Sequence, residues 1–173
     1  MSVGSNGSNG SNGNGHRRRV VVTGIGALTP IGAGVEGLWA GLRAERTAVG
    51  PITRFDPTPF RSHIAAEIAD FVPADHLELK RARRLDRFGQ FSVVAARMAL
   101  DDARVDLARE DRERFGVSMG TALGGVAYGE SQLASFLRDG VKGVDPALAL
   151  SVFAGAASCN IALEVGAQGP NST

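Results

Sequence analysis

The stretch from Ser151 to Thr173 reads SVFAGAASCNIALEVGAQGPNST, and its reading decides the fold. Ser151 is placed to cap a helix and Gly166 to end it. Between them Ala154, Gly155, Ala156, Ala157 and Ser158 keep that helix small-sided, so a neighbouring backbone can approach more closely than Leu or Phe would permit. Gly169-Pro170-Asn171 is a turn signal, because Pro presets φ while Gly and Asn tolerate special dihedrals. Ser172 and Thr173 then open a strand. Natural domains seldom end on the first residues of an interior strand, so the expectation is that the chain is cut there.

Working back from that stretch, Phe115 to Thr121 (FGVSMGT) reads as an interior strand running into Ala122-Leu123-Gly124-Gly125. Glycines at the carboxyl end of a strand in an α/β sheet stand where ligands bind, and they also serve plain strand-to-helix turns. Gly125 to Leu137 follows as a helix with Val126, Leu133, Phe136 and Leu137 inward, stopped by Gly140. The longest helix is expected from Asp75 to about Ala103. There Asp75 and Glu78 have capping-box spacing, and Leu85, Phe88, Ser92, Ala95, Met98 and Ala99 recur at helical intervals. Its first turns concentrate Lys80, Arg81, Arg83, Arg84 and Arg87 around the single acid Asp86. Cations near a helix N-terminus oppose the macrodipole, at about a few tenths of a kcal/mol each, which raises the weight of a binding role over a solvated face.

Nearer the start, Val20-Val21-Val22-Thr23 is a β-branched run without alternation, the pattern of a strand covered on both faces. Gly24-Ile25-Gly26 after it invites a dinucleotide reading. That fingerprint wants a third glycine where Thr29 stands and an uninterrupted helix where Pro30 stands, so the nucleotide module is a weak rival. Val35 to Arg43 is a short helix with Val35, Leu38, Trp39 and Leu42 on one stripe. Ala48 to Arg61 is turn-rich, with Asp56-Pro57 and Thr58-Pro59, and Ser62 to Ala69 reads as a strand or edge ribbon. Met1 to His16 is a Ser/Asn/Gly repeat with almost nothing to bury, a disordered leader, and Arg17 to Arg19 is its charged flank.

The totals fit one soluble domain. The chain has 173 residues, 43% hydrophobic and 21% charged, enough to bury roughly 70% of its unfolded surface. A balance of 19 basic against 18 acidic residues, net +1, gives no overall field to gather nucleic acid or anionic membrane. One cysteine excludes an intrachain disulfide framework. No apolar run approaches the roughly 20 residues of a membrane span and no secretory signal is present, so a cytoplasmic protein is expected.

No complete catalytic set emerges from these residues. Cys159 falls within the last helix, aligned with Val152, Ala156 and Leu163, and reads as a buried structural thiol with no cation or histidine to activate it. His16, His63 and His76 share no motif with an acid, a serine or one another at catalytic or metal spacing.

The order of these stretches resembles the N-terminal half of a β-ketoacyl-ACP synthase, the condensing enzyme of fatty acid synthesis, and the related ketosynthases of polyketide pathways. The matching segments are RRVVVTGIGALTPIG (Arg18 to Gly32), RFDPTPFRS (Arg54 to Ser62), LKRARRLDRFGQFSVVAARMALDDA (Leu79 to Ala103), FGVSMGTALGG (Phe115 to Gly125) and GAQGPNST (Gly166 to Thr173). The resemblance implies an α/β thiolase-like fold, layered α-β-α-β-α, with residues 17–173 an incomplete N-terminal half, and a homodimer in the intact protein. It implies a nucleophilic cysteine just beyond Thr173, which Cys159 does not match, and two histidines in the other half. A fragment ending at Thr173 is therefore expected to be inactive alone. The implied reaction is decarboxylative condensation of an acyl thioester with a malonyl carrier protein, without metal or redox cofactor. It also implies docking of acyl- or malonyl-loaded acyl carrier protein on Lys80, Arg83 and Arg84, and an acyl pocket bordered by Leu123. A non-catalytic partner of chain-length-factor type, shaping a heterodimer pocket, shares the same features and is the alternative.

Overall fold

The computed structural model describes residues 19–173. The expected leader, Met1 to His16, lies outside them. The chain runs β1 (Leu28–Thr29), β2 (Gly32–Ala33), α1 (Gly34–Arg43), β3 (Val49–Pro51), β4 (Ile64–Ala66), α2 (Leu79–Ala82), α3 (Arg87–Asp102), β5 (Val117–Ser118), α4 (Val126–Asp139), α5 (Leu148–Ser151), α6 (Ala156–Val165) and β6 (Asn171–Ser172). The strands form three separate pairs, the antiparallel β1–β2 and β3–β4 and the parallel β5–β6, in which Val117 lies opposite Asn171. The parallel pairing of β5 and β6 is the α/β signature, since two parallel strands need a crossover, here α4 to α6.

α3 is the axis of the core. Val93 and Val94 on it are almost fully buried and cluster with Phe71, Leu77, Ala82, Leu85 and Ile161. α6 lies against α3 through Ala157, Ser158 and Ile161, as its small-sided sequence anticipates. On another side Gly24 and Gly26 approach the α3 backbone closely. A Cβ on Gly24 would stand 2.7 Å from the Ala103 Cβ, and one on Gly26 would meet the Ala95 carbonyl. Only glycine permits this contact.

Four expectations are corrected here. The helix foreseen over Asp75 to Ala103 is broken. Asp75 ends a 3-10 turn, Pro73–Asp75, without a side-chain cap; α2 makes one turn; and α3 starts afresh at Asp86, which is extended (φ −70°, ψ 170°) and accepts from Gly89 N. The break wins because Asp86 is itself a good N-cap, and Gln90 Nε2 donates to the Ala82 and Leu85 carbonyls that the interruption frees. The C-terminal helix is likewise split. Ser151 closes α5 instead of capping α6, and its buried hydroxyl donates to the Arg84 carbonyl at 3.2 Å. Gly166 does end α6, in the left-handed region at φ 68°.

The third correction concerns Val20 to Thr23, which forms no ladder among the described residues. Val20, Val21 and Val22 are 93%, 66% and 83% exposed. Just after the run, the chain is tied to α3 by Ile25 N donating to Asp102 Oδ2 at 2.8 Å. Similarly, the expected inward faces of α1 (Val35, Trp39, Leu42) and α4 (Val126, Leu133, Phe136, Leu137) are substantially exposed. The hydrophobic pattern is real, but no described element covers it.

Candidate functional site

Two regions carry the residues singled out in the sequence: the cationic segment from Lys80 to Arg87, and the glycine corner after β5. The cationic segment joins the single turn of α2 to the cap of α3, and the fold divides its five cations into two groups. Arg87 turns inward. Its Nη2 donates to the Ile68 carbonyl at 2.7 Å, and its guanidinium lies 5.4 Å and 4.7 Å from the ring centroids of Phe71 and Phe91. Burial, with a smaller contribution from Arg54, moves its pKa downward. Arg81 also turns inward: Nη2 donates to the Asn160 carbonyl at 3.3 Å, and Nε lies 3.7 Å from Glu164 Oε2. Arg97 reaches the same Glu164 carboxylate from α3 and donates through Nη1 to the His76 carbonyl at 2.8 Å.

Lys80, Arg83 and Arg84 are the outward group. All three are exposed, and among the described residues none forms an ion pair. Lys80, Arg83 and Arg84 fall at i, i+3 and i+4, spacing that places them on one side of a helical turn. Because α2 ends at Ala82, Arg83 and Arg84 follow a helix terminus instead of opening a long helix. They still precede the N-terminus of α3, where Asp86 at the N-cap stands between them and the helix and offsets the macrodipole cost expected from the sequence.

Beside this patch runs a groove of about 680 Å³ lined by Arg81, Arg84, Asp145, Phe153, Cys159 and Leu163, among others. Asp145 is fixed at its rim. Ala147 N donates to Oδ1 at 2.7 Å and the Tyr128 hydroxyl donates to Oδ2 at 2.9 Å, and these bonds, that from Ala147 first, lower its pKa. Cys159 is exposed, correcting its expected burial. α6 buries Ala157, Ile161 and Val165, and the Cys159–Leu163 pair, one turn apart, faces away from them.

The glycine corner forms where the parallel pair ends. Met119 N donates to the Ser172 carbonyl at 2.9 Å, carrying the pairing one residue past β5. Thr121 Oγ1 then accepts from Gly124 N at 3.1 Å, closing the turn. Gly124 is left-handed (φ 58°), and a Cβ there would stand 2.8 Å from the Ala154 Cα. Leu123 projects from the tip, 70% exposed. On the β6 side, the Ser158 and Thr173 hydroxyls are 2.7 Å apart, linking the end of the strand to α6. Both strands thus bring their carboxyl ends to one edge, the edge at which open α/β sheets hold ligands.

Among the described residues no histidine ring hydrogen-bonds to either region, although His76 adjoins the cationic one through Phe71; His16 lies outside the described residues. His63 is exposed, with Nε2 2.8 Å from the Phe60 carbonyl, and His76 stacks on Phe71 at 5.4 Å. Among the described residues no cluster of His, Cys, Asp or Glu could hold a metal ion, and no helix is long and apolar enough to cross a membrane. Sequence reasoning missed Glu164 and Arg97. Their only signal was an isolated acid at the end of an otherwise apolar helix.

Residues 17–173 match the family model described as Beta-ketoacyl synthase, N-terminal domain. The chain is similar to a 3-oxoacyl-[acyl-carrier-protein] synthase 2 of Synechocystis sp., 38% identical over 159 residues, which is 92% of this chain and 38% of that relative. Among solved structures, the ishigamide ketosynthase/chain length factor aligns with a TM-score of 0.75 at 39% identity, over 90% of this chain and 38% of that one. A type II polyketide synthase acyl-carrier protein in complex with its ketosynthase aligns with a TM-score of 0.74 at 27% identity, over 91% of this chain and 41% of that one. The chain therefore spans little more than a third of the length of the relatives it matches, and its α/β architecture is that of the thiolase-like ketosynthases.

Proposed function

Because the chain belongs to the β-ketoacyl synthase family, whose N-terminal domain it matches, we propose that it forms the first half of a 3-oxoacyl-[acyl-carrier-protein] synthase. The residues from Arg17 onward constitute that half, preceded by a Ser/Asn/Gly leader, and the whole protein works as a cytoplasmic homodimer. In the whole protein, a cysteine following β6 attacks the thioester of an acyl carrier protein. The acyl group moves to the enzyme sulfur and the carrier thiol leaves. Histidines of the other half then assist loss of CO2 from a malonyl carrier protein, and the resulting carbanion attacks the enzyme thioester and expels the thiolate.

Within this chain the proposed roles are docking and shaping. Lys80, Arg83 and Arg84 receive the acidic carrier protein, and Leu123 borders the acyl pocket. The observation that carries the docking role is the division of the cations: Arg81 and Arg87 are held inward while these three stay outward and free of ion pairs among the described residues. Association with an acidic partner gains most from charges free to meet it.

One observation favours a second reading. A solved neighbour is a ketosynthase/chain length factor, so the chain can be assigned to a partner that shapes a heterodimer pocket without supplying the nucleophile. Mass spectrometry of the whole protein after incubation with acyl carrier protein loaded with an acyl chain separates the two. The synthase reading expects one acyl group bound as thioester to a cysteine other than Cys159. No acyl transfer contradicts it and supports the partner reading.

A further inference from the structure

Glu164 lies in the last turn of α6 with its side chain only 16% exposed, and among the described residues it is the one carboxylate facing two arginines from two other elements. Arg97 reaches it from α3 and Arg81 from α2. A carboxylate so withdrawn from water is costly unless paired, so Glu164 and its partners hold one another in place. The contact to Arg81 is the looser one. Arg81 Nε is buried without a hydrogen-bond partner among the described residues and faces Glu164 Oε2 at 3.7 Å, while Nη2 donates to the Asn160 carbonyl. Arg81 is therefore held to α6 in two ways, by the hydrogen bond to the Asn160 carbonyl and by the charge of Glu164, which it meets without a hydrogen bond.

This matters because α2 is only one turn long, and the Arg81 anchor on α6 adds a side-chain tether to the few contacts that set its rotation. Ala82 and Leu85 bury the underside of the segment, and Gln90 and Ser151 hold its carbonyls. Consecutive side chains on a helical turn diverge by about 100°. With Arg81 pulled toward α6, Lys80 before it and Arg83 after it are directed elsewhere, toward solvent, while Arg84, about one turn on from Arg81, stays exposed beside it on the groove that both line. We infer that Glu164 is a positioning residue for the docking surface: by retaining Arg81 it fixes the roll of α2 and with it the aim of Lys80, Arg83 and Arg84. The inference rests on the carrier-docking reading above.

Charge alone makes the opposite forecast, and this allows a test. Glu164→Gln removes a negative charge from behind a basic surface, so a purely electrostatic role would tighten binding of an acidic carrier, whereas Arg81→Gln would weaken it. Positioning makes both changes weaken it, by roughly three- to ten-fold, and makes the double variant no worse than the weaker single one. The measurement is the Kd of the whole protein for acyl carrier protein, with the unfolding midpoint recorded beside it and Arg83→Glu as a control. Tighter or unchanged binding in Glu164→Gln, including a lowered midpoint with unchanged Kd, overturns the inference. Should Glu164→Gln fail to fold, Glu164→Asp keeps the charge and retracts it by one methylene; weakened binding is again expected, and unaltered binding overturns the inference. Should Arg83→Glu leave binding untouched, the docking reading itself falls and takes the inference with it. Loss of binding in Arg83→Glu with none in the Glu164 variants removes only the positioning role.

Discussion

Asp86 Oδ1 accepts a hydrogen bond from Gly89 N at 2.8 Å and so caps α3, directly behind the cationic segment. Burial nevertheless raises the Asp86 pKa above the ordinary value of 3.8, outweighing the backbone N–H groups that favour the carboxylate. The cap geometry and the buried charge thus pull in opposite directions. Asp86→Ala, which loses the acceptor, is expected to cost about 1 kcal/mol in a urea titration, while Asp86→Asn, which keeps it, is expected to be near neutral. A raised folded-state pKa means that the native protein binds this proton more tightly than the unfolded chain does. The Asp86 contribution therefore falls as pH rises from 3.8 through the raised value, and Asp86→Asn should remove that slope. Equal loss in both variants contradicts the capping role.

Tyr128 is the only tyrosine in the chain, so its titration can be followed without overlap. Burial first, and the hydrogen bond to Asp145 second, raise its pKa from 10.0 to about 12. The folded state favours the protonated phenol, so this contribution is complete below pH 10 and lost as pH climbs through 12. Ultraviolet titration of the phenolate should show a midpoint near 12, lowered but still above 10 in Asp145→Asn, since burial is the larger cause. A midpoint of 10 in the unmodified protein contradicts the contact.

Gly26 abuts the α3 backbone where a Cβ would meet the Ala95 carbonyl. Backbone cannot retreat as a flexible side chain can, so Gly26→Ala should destabilise the protein by about 2 kcal/mol. Gly50, where a Cβ would meet nothing within 4 Å, is the control, and Gly50→Ala should change little. Comparable losses at both positions would remove the close approach as the cause.

Leu123 at the glycine corner is 70% exposed among the described residues. Its replacement should leave stability within about 0.5 kcal/mol. If it borders the acyl pocket of the whole protein, Leu123→Trp narrows that pocket and shifts kcat/KM toward shorter acyl chains. A folded variant with unaltered chain-length preference takes Leu123 out of the pocket.

Much of the architecture was legible because local signals and burial agree. Gly166 ends α6 in the left-handed region, Gly140 ends α4 at φ 67°, and Ser172 pairs as the start of a strand. The errors arose where one local signal had two outlets. Asp75 and Asp86 both have the chemistry of an N-cap, and periodicity across 75–103 could not show that the chain uses the second. Ser151 had cap chemistry too, yet its hydroxyl serves the Arg84 carbonyl, a partner 67 residues away in sequence. Cys159 was misread because a stripe of apolar residues reports pattern without reporting which face meets α3. The division of the five cations was illegible for the same reason. It depends on Glu164, Asn160, Phe71 and Phe91, brought to the segment only by the tertiary fold.

The most direct test is the affinity of the whole protein for acyl carrier protein, measured at low and raised salt, with and without Arg83→Glu and Arg84→Glu together. We expect the double variant to bind roughly ten-fold or more weakly at low salt and to lose most of its salt dependence, because the reversed charges repel the acidic carrier. An unchanged Kd at low salt would mean that Lys80, Arg83 and Arg84 form a solvated face, and the account of this half as a carrier-docking platform would be wrong.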